Sequence, residues 1–160
     1  MLSRTTEDYL EAILGLIEEK GEVRIKDVAE TLNVRPPSVT EMMQRMTEET
    51  LVNHERYGTI SLTAKGEKIA KQVRERHEIL VKLLRTIQIP EEVAEKDACV
   101  IEHELNPKTV EQLRKFVGFV ENAPVYPKWI RHFKEYCETG EYPPECRAKQ
   151  RKASPRRFLG

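Results

Sequence analysis

The chain has 160 residues, a formal net charge of zero, 34% charged side chains and 6% aromatic side chains, enough for one compact domain or two small ones. No apolar run approaches the roughly 18–20 residues needed to span a bilayer, and the N-terminal segment is charged where a signal peptide is apolar. Three cysteines are too few for a disulfide framework. We therefore expect a cytoplasmic protein with reduced thiols and no membrane contact.

The charge is unevenly distributed along the chain. Residues 147–160 hold six Lys or Arg and no acid, so the rest of the chain is net negative by six. Any contact with nucleic acid must therefore come from a local basic patch. The basic segment lacks periodicity, and we predict that it is a disordered tail.

The first predicted element is an amphipathic helix between residues 5 and 20. Its apolar residues recur at helical spacing: Leu10, Ile13, Leu14 and Ile17. We expect Thr5 to be its N-cap, with Asp8 as the acidic half of a capping box. Gly21 provides the stop.

Two short helices joined by a tight turn follow, with the dimensions of a helix-turn-helix. The first lies within residues 25–32, residues 33–35 form the turn, and Pro36-Pro37 opens the second. Residues 51–62 then change to a strand pattern around Tyr57-Gly58, which predicts a small hairpin. A hairpin directly after a recognition helix is the wing of a winged helix.

The remainder is helical. Thr63 caps a long helix that ends near Ile89-Pro90, and a helix from Glu91 is closed by Asn106-Pro107. Two more amphipathic helices follow, at residues 110–120 and 129–140. The last has an apolar side made of Trp129, Ile130, Phe133 and Tyr136.

The segment DACVIEHEL brings a thiol, a carboxylate and an imidazole together. Cys99, Glu102 and His103 lie at i, i+3 and i+4, on one face of a helix. The first helix and the long helix add further candidates: Asp8, Glu11 and His77. Such groups can surround one divalent ion or two neighbouring ions. Singly, each also has an ordinary explanation, as a capping acid, a solvated side chain or a small buried thiol.

With these features in view, the sequence resembles the DtxR/MntR family of metal-dependent transcriptional regulators. The matching stretches are TTEDYLEAI, IKDVAETLNVRPPSVTEMMQRM, LTAKGEKIA, RHEILVKLL and DACVIEHEL, in family order and spacing. The resemblance implies a homodimer that binds a double-stranded DNA operator and represses metal-uptake genes when metal is plentiful. It implies a mainly α fold: a winged helix at residues 1–70 and a helical metal-binding and dimerisation domain at residues 71–146, before the tail.

The resemblance also implies roles for individual residues. The manganese-responsive branch has ligands at three candidate positions: Asp8, Glu11 and His77. Glu102 and His103 match ligands of both branches, whereas Cys99 matches the iron-responsive branch. Because a thiolate is softer than Mn(II) prefers, we expect Fe(II) to be favoured over Mn(II), with Zn(II), Co(II) or Ni(II) able to bind in vitro. The predicted DNA contacts are Arg35, Pro36, Pro37, Ser38, Thr40, Glu41, Gln44, Arg45, Arg56 and Tyr57.

Two other functions are compatible with the elements. A helical di-metal carboxylate enzyme usually needs Glu-x-x-His pairs, but no Glu lies three residues before His77 or His103. A winged-helix regulator that ignores metal would bind DNA equally with and without a chelator. We expect no enzymatic activity and no small-molecule substrate.

Overall fold

The computed structural model describes residues 2–54 and 58–146. The chain divides into two compact units, Met1–His77 and Glu78–Gly160. In the described residues, no helix is long and apolar enough to cross a membrane. The predicted contacts Arg56 and Tyr57 and the predicted tail at residues 147–160 lie outside the described residues.

The first unit is a winged helix-turn-helix. Helix α1 spans Arg4–Lys20, α2 spans Ile25–Leu32 and α3 spans Pro36–Glu48. Asn33 adopts the left-handed conformation (φ 52°) in the turn between α2 and α3, a conformation that Asn tolerates better than most residues. The helix-turn-helix prediction is confirmed.

The wing is a two-stranded antiparallel hairpin. Strand β1 (Val52–His54) pairs with β2 (Ile60–Leu62), with Val52 opposite Leu62. The Ile60 N–H donates to the Val23 carbonyl at 2.7 Å, which ties the hairpin to the segment between α1 and α2. Alternate residues of both strands face a core formed with the three helices. Its fully buried members include Leu10, Ile13, Val28, Val39, Met43, Met46 and Leu51.

The second unit is helical in the described residues. Helix α4 (Ala64–Thr86) begins in the first unit and ends in the second, followed by α5 (Glu91–Ile101), α6 (Pro107–Glu121) and α7 (Lys128–Thr139). Two small apolar clusters, around Leu80 and around Val110, form its interior. The expected apolar side of α7 is only partly covered, since Ile130 is buried but Trp129 is exposed.

Three helix boundaries differ from the sequence expectations. Ser3, not Thr5, caps α1, because its hydroxyl accepts the Thr6 N–H at 3.2 Å. Helix α5 ends at Ile101 instead of continuing to Asn106-Pro107. Asn106 is the N-cap of α6, and its side chain accepts the Lys108 N–H at 2.9 Å. The predicted cap Thr63 is confirmed, because its hydroxyl accepts the Gly66 N–H at 3.1 Å.

Candidate metal and DNA-binding sites

Three predicted metal ligands lie in the first unit. Asp8 and Glu11 are one helical turn apart on α1, and His77 lies on α4. All three side chains are half-buried, and the Arg4 guanidinium lies 4.0 Å from the Asp8 carboxylate. Because Ser3 is the cap, a capping box would have its acid at residue 6, and Asp8 lies two residues further along the helix. The ordinary explanation for Asp8 as a capping acid is therefore wrong.

An ion pair that the sequence analysis missed joins the helices carrying these ligands. The Arg76 guanidinium donates to the Glu7 carboxylate at 2.7 Å, and the side chains are only 20% and 14% exposed. Glu7 immediately precedes Asp8, and Arg76 immediately precedes His77. The pair therefore fixes the two backbones beside those candidate ligands. Spacing gives no signal for it, since the partners are far apart in sequence.

The other three predicted ligands lie in the second unit. Glu102 and His103 are buried, and the Glu102 Oε1 atom is 3.2 Å from the His103 Nε2 atom. Their side chains are 1% and 2% exposed. Cys99 is exposed on α5, so the three side chains do not share one environment. Glu102 is the C-cap of α5 and keeps helical backbone angles, so Cys99 and Glu102 retain their i, i+3 relation although only Glu102 is buried.

The buried pair has the donor chemistry of a divalent-metal site. A carboxylate is rarely buried unless it is paired or binds a cation. Bonds of about 2.1 Å to one ion place adjacent donor atoms about 3 Å apart, which agrees with the separation of Glu102 and His103. Within either unit taken alone, the described residues hold no group of three or more such side chains arranged around one point. Each unit thus offers a partial set.

The predicted DNA contacts that the structure describes lie on and just before α3. The side chains of the set from Arg35 to Arg45 are all exposed, while Val39 and Met43 face the core. The Thr40 hydroxyl donates to the Pro36 carbonyl at 3.1 Å, so its methyl group and oxygen lone pairs remain for a ligand. An exposed polar face opposite a buried stripe is the geometry with which a recognition helix enters a major groove.

The start of α2 is held by a charged cap. The Asp27 carboxylate accepts the Arg24 N–H at 2.9 Å, and the Lys20 ammonium lies 3.4 Å away. The backbone hydrogen bond from Arg24, followed by Lys20, holds the pKa of Asp27 below its usual range. This contact connects the end of α1 to α2, the helix that supports α3.

Comparisons with known families cover most of the chain. Residues 1–60 match the model described as "Iron dependent repressor, N-terminal DNA binding domain". Residues 63–129 match "Iron dependent repressor, metal binding and dimerisation domain".

Curated relatives and solved structures agree with these matches. The HTH-type transcriptional regulator MntR of Bacillus subtilis (strain 168) is 37% identical over 138 residues, 86% of this chain and 97% of that protein. MntR of Bacillus velezensis is 40% identical with the same coverage. The manganese regulator SloR has a TM-score of 0.62 and 30% identity over 71% of this chain. IdeR of T. acidophilum has a TM-score of 0.63 and 28% identity over 74%. The chain spans 54% and 56% of those two solved chains.

Proposed function

Because the chain belongs to the iron-dependent repressor family, whose members are metal-dependent transcriptional regulators and not enzymes, we propose that it represses metal-uptake genes in the cytoplasm when metal is plentiful. Its cofactor is a divalent metal, and it binds a DNA operator as a homodimer. The observation that carries the metal response is the buried Glu102–His103 pair, a carboxylate and an imidazole with donor atoms 3.2 Å apart. We assign residues 1–70 to DNA binding and residues 71–146 to metal binding and dimerisation.

The proposed metal set draws on both units. Its members are Asp8, Glu11, His77, Cys99, Glu102 and His103. A divalent ion supplies the positive charge that offsets the carboxylates. Metal binding favours the conformation in which both groups of ligands coordinate the ion, and the operator binds that same conformation. Each tenfold difference in metal affinity between the two arrangements is worth about 1.4 kcal/mol of bias.

We propose Mn(II) as the physiological activator, with Cys99 as the position that admits Fe(II). The preference for Fe(II) inferred from Cys99 has no support in the relatives, of which SloR is called a manganese regulator. The buried donors are oxygen and nitrogen atoms, which suit Mn(II), and the softer thiol is the exposed member of the set.

The test measures metal affinity and DNA binding together. A duplex is selected by the Mn(II)-loaded protein from a random-sequence library, and its binding is followed by fluorescence anisotropy with chelator, Mn(II) or Fe(II). We expect tight binding only with metal, and loss of the metal response in Glu102→Gln. Glu104→Gln is the matched control, because Glu104 is exposed two residues away. Equal binding with chelator and with metal would instead establish a regulator that ignores metal.

The same assay tests the proposed role of Cys99. Cys99→Glu replaces the soft donor with a carboxylate, so we expect the ratio of Mn(II) affinity to Fe(II) affinity to rise. Cys137→Ser is the control, since Cys137 is an exposed thiol on α7 outside the proposed set. An unchanged ratio in Cys99→Glu would remove Cys99 from the ligand set.

The DNA interface is proposed to be the exposed side of α3 with the wing. Arg45 is placed to contact a phosphate or a guanine, and Glu41 can accept a hydrogen bond from the amino group of a cytosine. If Glu41 reads a cytosine, Glu41→Ala should relax selection at one base pair, a change of about 1–3 kcal/mol. A uniform change at every position would show that Glu41 acts only through its charge.

The surface proposed for the homodimer is the uncovered apolar side of α6, α7 and their connection. Phe119, Val125 and Tyr126 are 68%, 75% and 64% exposed, and the Phe116 and Trp129 rings lie 6.0 Å apart beside them. Clustered exposed apolar side chains mark interaction sites. A second copy of the chain is the expected occupant, because the metal binding and dimerisation model matches residues 63–129, which include α6 and the connection to α7.

A further inference from the structure

A thiol, an imidazole and a carboxylate meet at the end of the described chain, outside the proposed metal and DNA sites. The His132 Nδ1 atom lies 3.0 Å from the Cys146 sulfur. The Nε2 atom of the same ring lies 3.3 Å from the Glu145 carboxylate. We propose that Cys146 is a nucleophilic thiol activated by this relay, and that it is a modification site for hydroperoxides. The proposal is independent of the proposed metal and DNA functions.

The chain is folded back onto α7 by several contacts, so the relay does not depend on one chance approach. Gly140 ends α7 in the left-handed conformation at φ 70°. The Tyr136 and Tyr142 rings lie 4.9 Å apart across the reversal, and Pro143 is buried. The Cys146 N–H then donates to the Pro143 carbonyl at 2.9 Å. These contacts hold Cys146 beside the His132 ring, which lies about two turns before the end of α7.

The order of the three groups determines what the imidazole can do. A carboxylate only accepts hydrogen bonds, so Glu145 favours the tautomer of His132 in which Nε2 carries the proton. The Nδ1 atom then has a lone pair directed at the thiol, which can donate its proton. The His132 side chain is 18% exposed, which makes the contact with sulfur stronger than one in open water. Glu145 is 66% exposed, so its contribution is smaller.

The reaction that this arrangement supports is balanced without a bound cofactor. The thiol proton moves to Nδ1, and the thiolate attacks one oxygen of a hydroperoxide. An S–O bond forms as the O–O bond breaks, and the imidazolium returns the proton to the leaving oxygen. The sulfur becomes a sulfenic acid and the hydroperoxide becomes an alcohol. Sulfur is oxidised by two electrons and the peroxide is reduced by two.

A metal clip at this place has less support than a reactive thiol. The two nitrogens of one imidazole point in opposite directions, so the sulfur and the carboxylate do not face a common point. The described residues hold no group of three or more His, Cys, Asp or Glu side chains arranged around one ion. An imidazole with a carboxylate on one side and a thiol on the other is instead the arrangement that activates a nucleophile.

The chain provides an internal control for the test. Cys137 is exposed on α7, and no imidazole contact is found for it among the described residues. If accessibility alone set the rates of the two thiols, Cys137 would react faster, because Cys146 is half-buried. Activation by the relay predicts the opposite order. Cys99 is left out of the comparison because it belongs to the proposed metal set.

The experiment follows alkylation of the full chain by iodoacetamide at pH 7 in the presence of chelator, with each cysteine quantified by mass spectrometry. We expect Cys146 to react at least ~10-fold faster than Cys137. His132→Gln should bring the rates within about twofold of each other, and Glu145→Gln should reduce the difference partly. Glu138→Gln, an exposed acid on α7, is the matched control and should change nothing.

A second measurement tests the hydroperoxide itself. Wild-type protein treated with tert-butyl hydroperoxide and then dimedone should carry the sulfenic-acid adduct on Cys146 in excess over Cys137. His132→Gln should abolish the excess while circular dichroism confirms an unchanged helix content. The proposal is overturned if Cys146 in the wild type reacts no faster than Cys137 with both reagents. It is equally overturned if folded His132→Gln keeps the wild-type rates.

Discussion

Replacing Arg76 with Met keeps a long apolar stem but removes the charge 2.7 Å from the Glu7 carboxylate. Exposed pairs contribute about 0–1 kcal/mol, and breaking a fully buried pair costs about 3–5 kcal/mol. With 20% and 14% of the side chains exposed, this pair lies between those limits. We expect Arg76→Met to lower the free energy of unfolding by about 2 kcal/mol, and hence to lower Tm by about 4–8 °C for a chain of this size.

The assay is thermal unfolding of the chelated protein, followed by calorimetric titration with Mn(II). Because Glu7 and Arg76 adjoin Asp8 and His77 in sequence, we expect Mn(II) affinity to fall as well. Arg74→Met is the matched control. Arg74 contacts the Glu18 carboxylate at 2.6 Å, but those side chains are 29% and 54% exposed, so the loss should stay below about 1 kcal/mol.

Two results would refute the reasoning about Arg76. Equal and small losses of unfolding free energy in Arg76→Met and Arg74→Met would show that burial does not strengthen the contact between Arg76 and Glu7. A lower Tm in Arg76→Met with unchanged Mn(II) affinity would show that the pair supports the fold without positioning the ligands. The double variant Glu7→Gln with Arg76→Met separates these cases from the cost of an uncompensated charge, because it should recover part of the lost stability.

Three further predictions concern the fold, its pH dependence and the dimer. Gly66→Ala should destabilise the protein by about 1–3 kcal/mol in urea unfolding, because an added Cβ would overlap the Leu51 carbonyl; wild-type stability would show that the backbone yields freely there. Asp27→Asn should cost about 1 kcal/mol at pH 7. Since the pKa of Asp27 is lowered in the folded state, the stabilisation by its ionised carboxylate is complete above the unfolded pKa near 3.9 and disappears as the pH falls through the folded pKa. A difference in stability between wild type and Asp27→Asn that persists below that pH would contradict this. Phe119→Lys should shift the chain from dimer to monomer in sedimentation velocity, and an unchanged dimer would remove the α6 face from the interface.

The sequence predicts the helices well where apolar spacing and a chemically distinct stop coincide. The end of α1 at Gly21 and the start of α4 at Thr63 both follow from such signals. The sequence predicts the N-cap of α1 at Thr5, because a hydroxyl three residues before an acid fits the capping box, yet Ser3 provides the capping hydroxyl two residues earlier. Propensity cannot decide between two good caps. In the structure, the Ser3 hydroxyl also lies 2.8 Å from the hydroxyl of the buried Thr6, a contact that spacing alone does not reveal.

The residue types of the candidate metal site were predictable, but their environments were not. Spacing of i, i+3 and i+4 places Cys99, Glu102 and His103 on one side of a helix, but it does not say which of them the neighbouring elements cover. In the structure, Glu102 and His103 are buried and Cys99 is exposed. A buried carboxylate beside an imidazole needs a compensating charge more than an exposed thiol does. Removal of metal should therefore destabilise the surroundings of Glu102 most. Substitution of Cys99 should change which metal binds more than it changes whether metal binds.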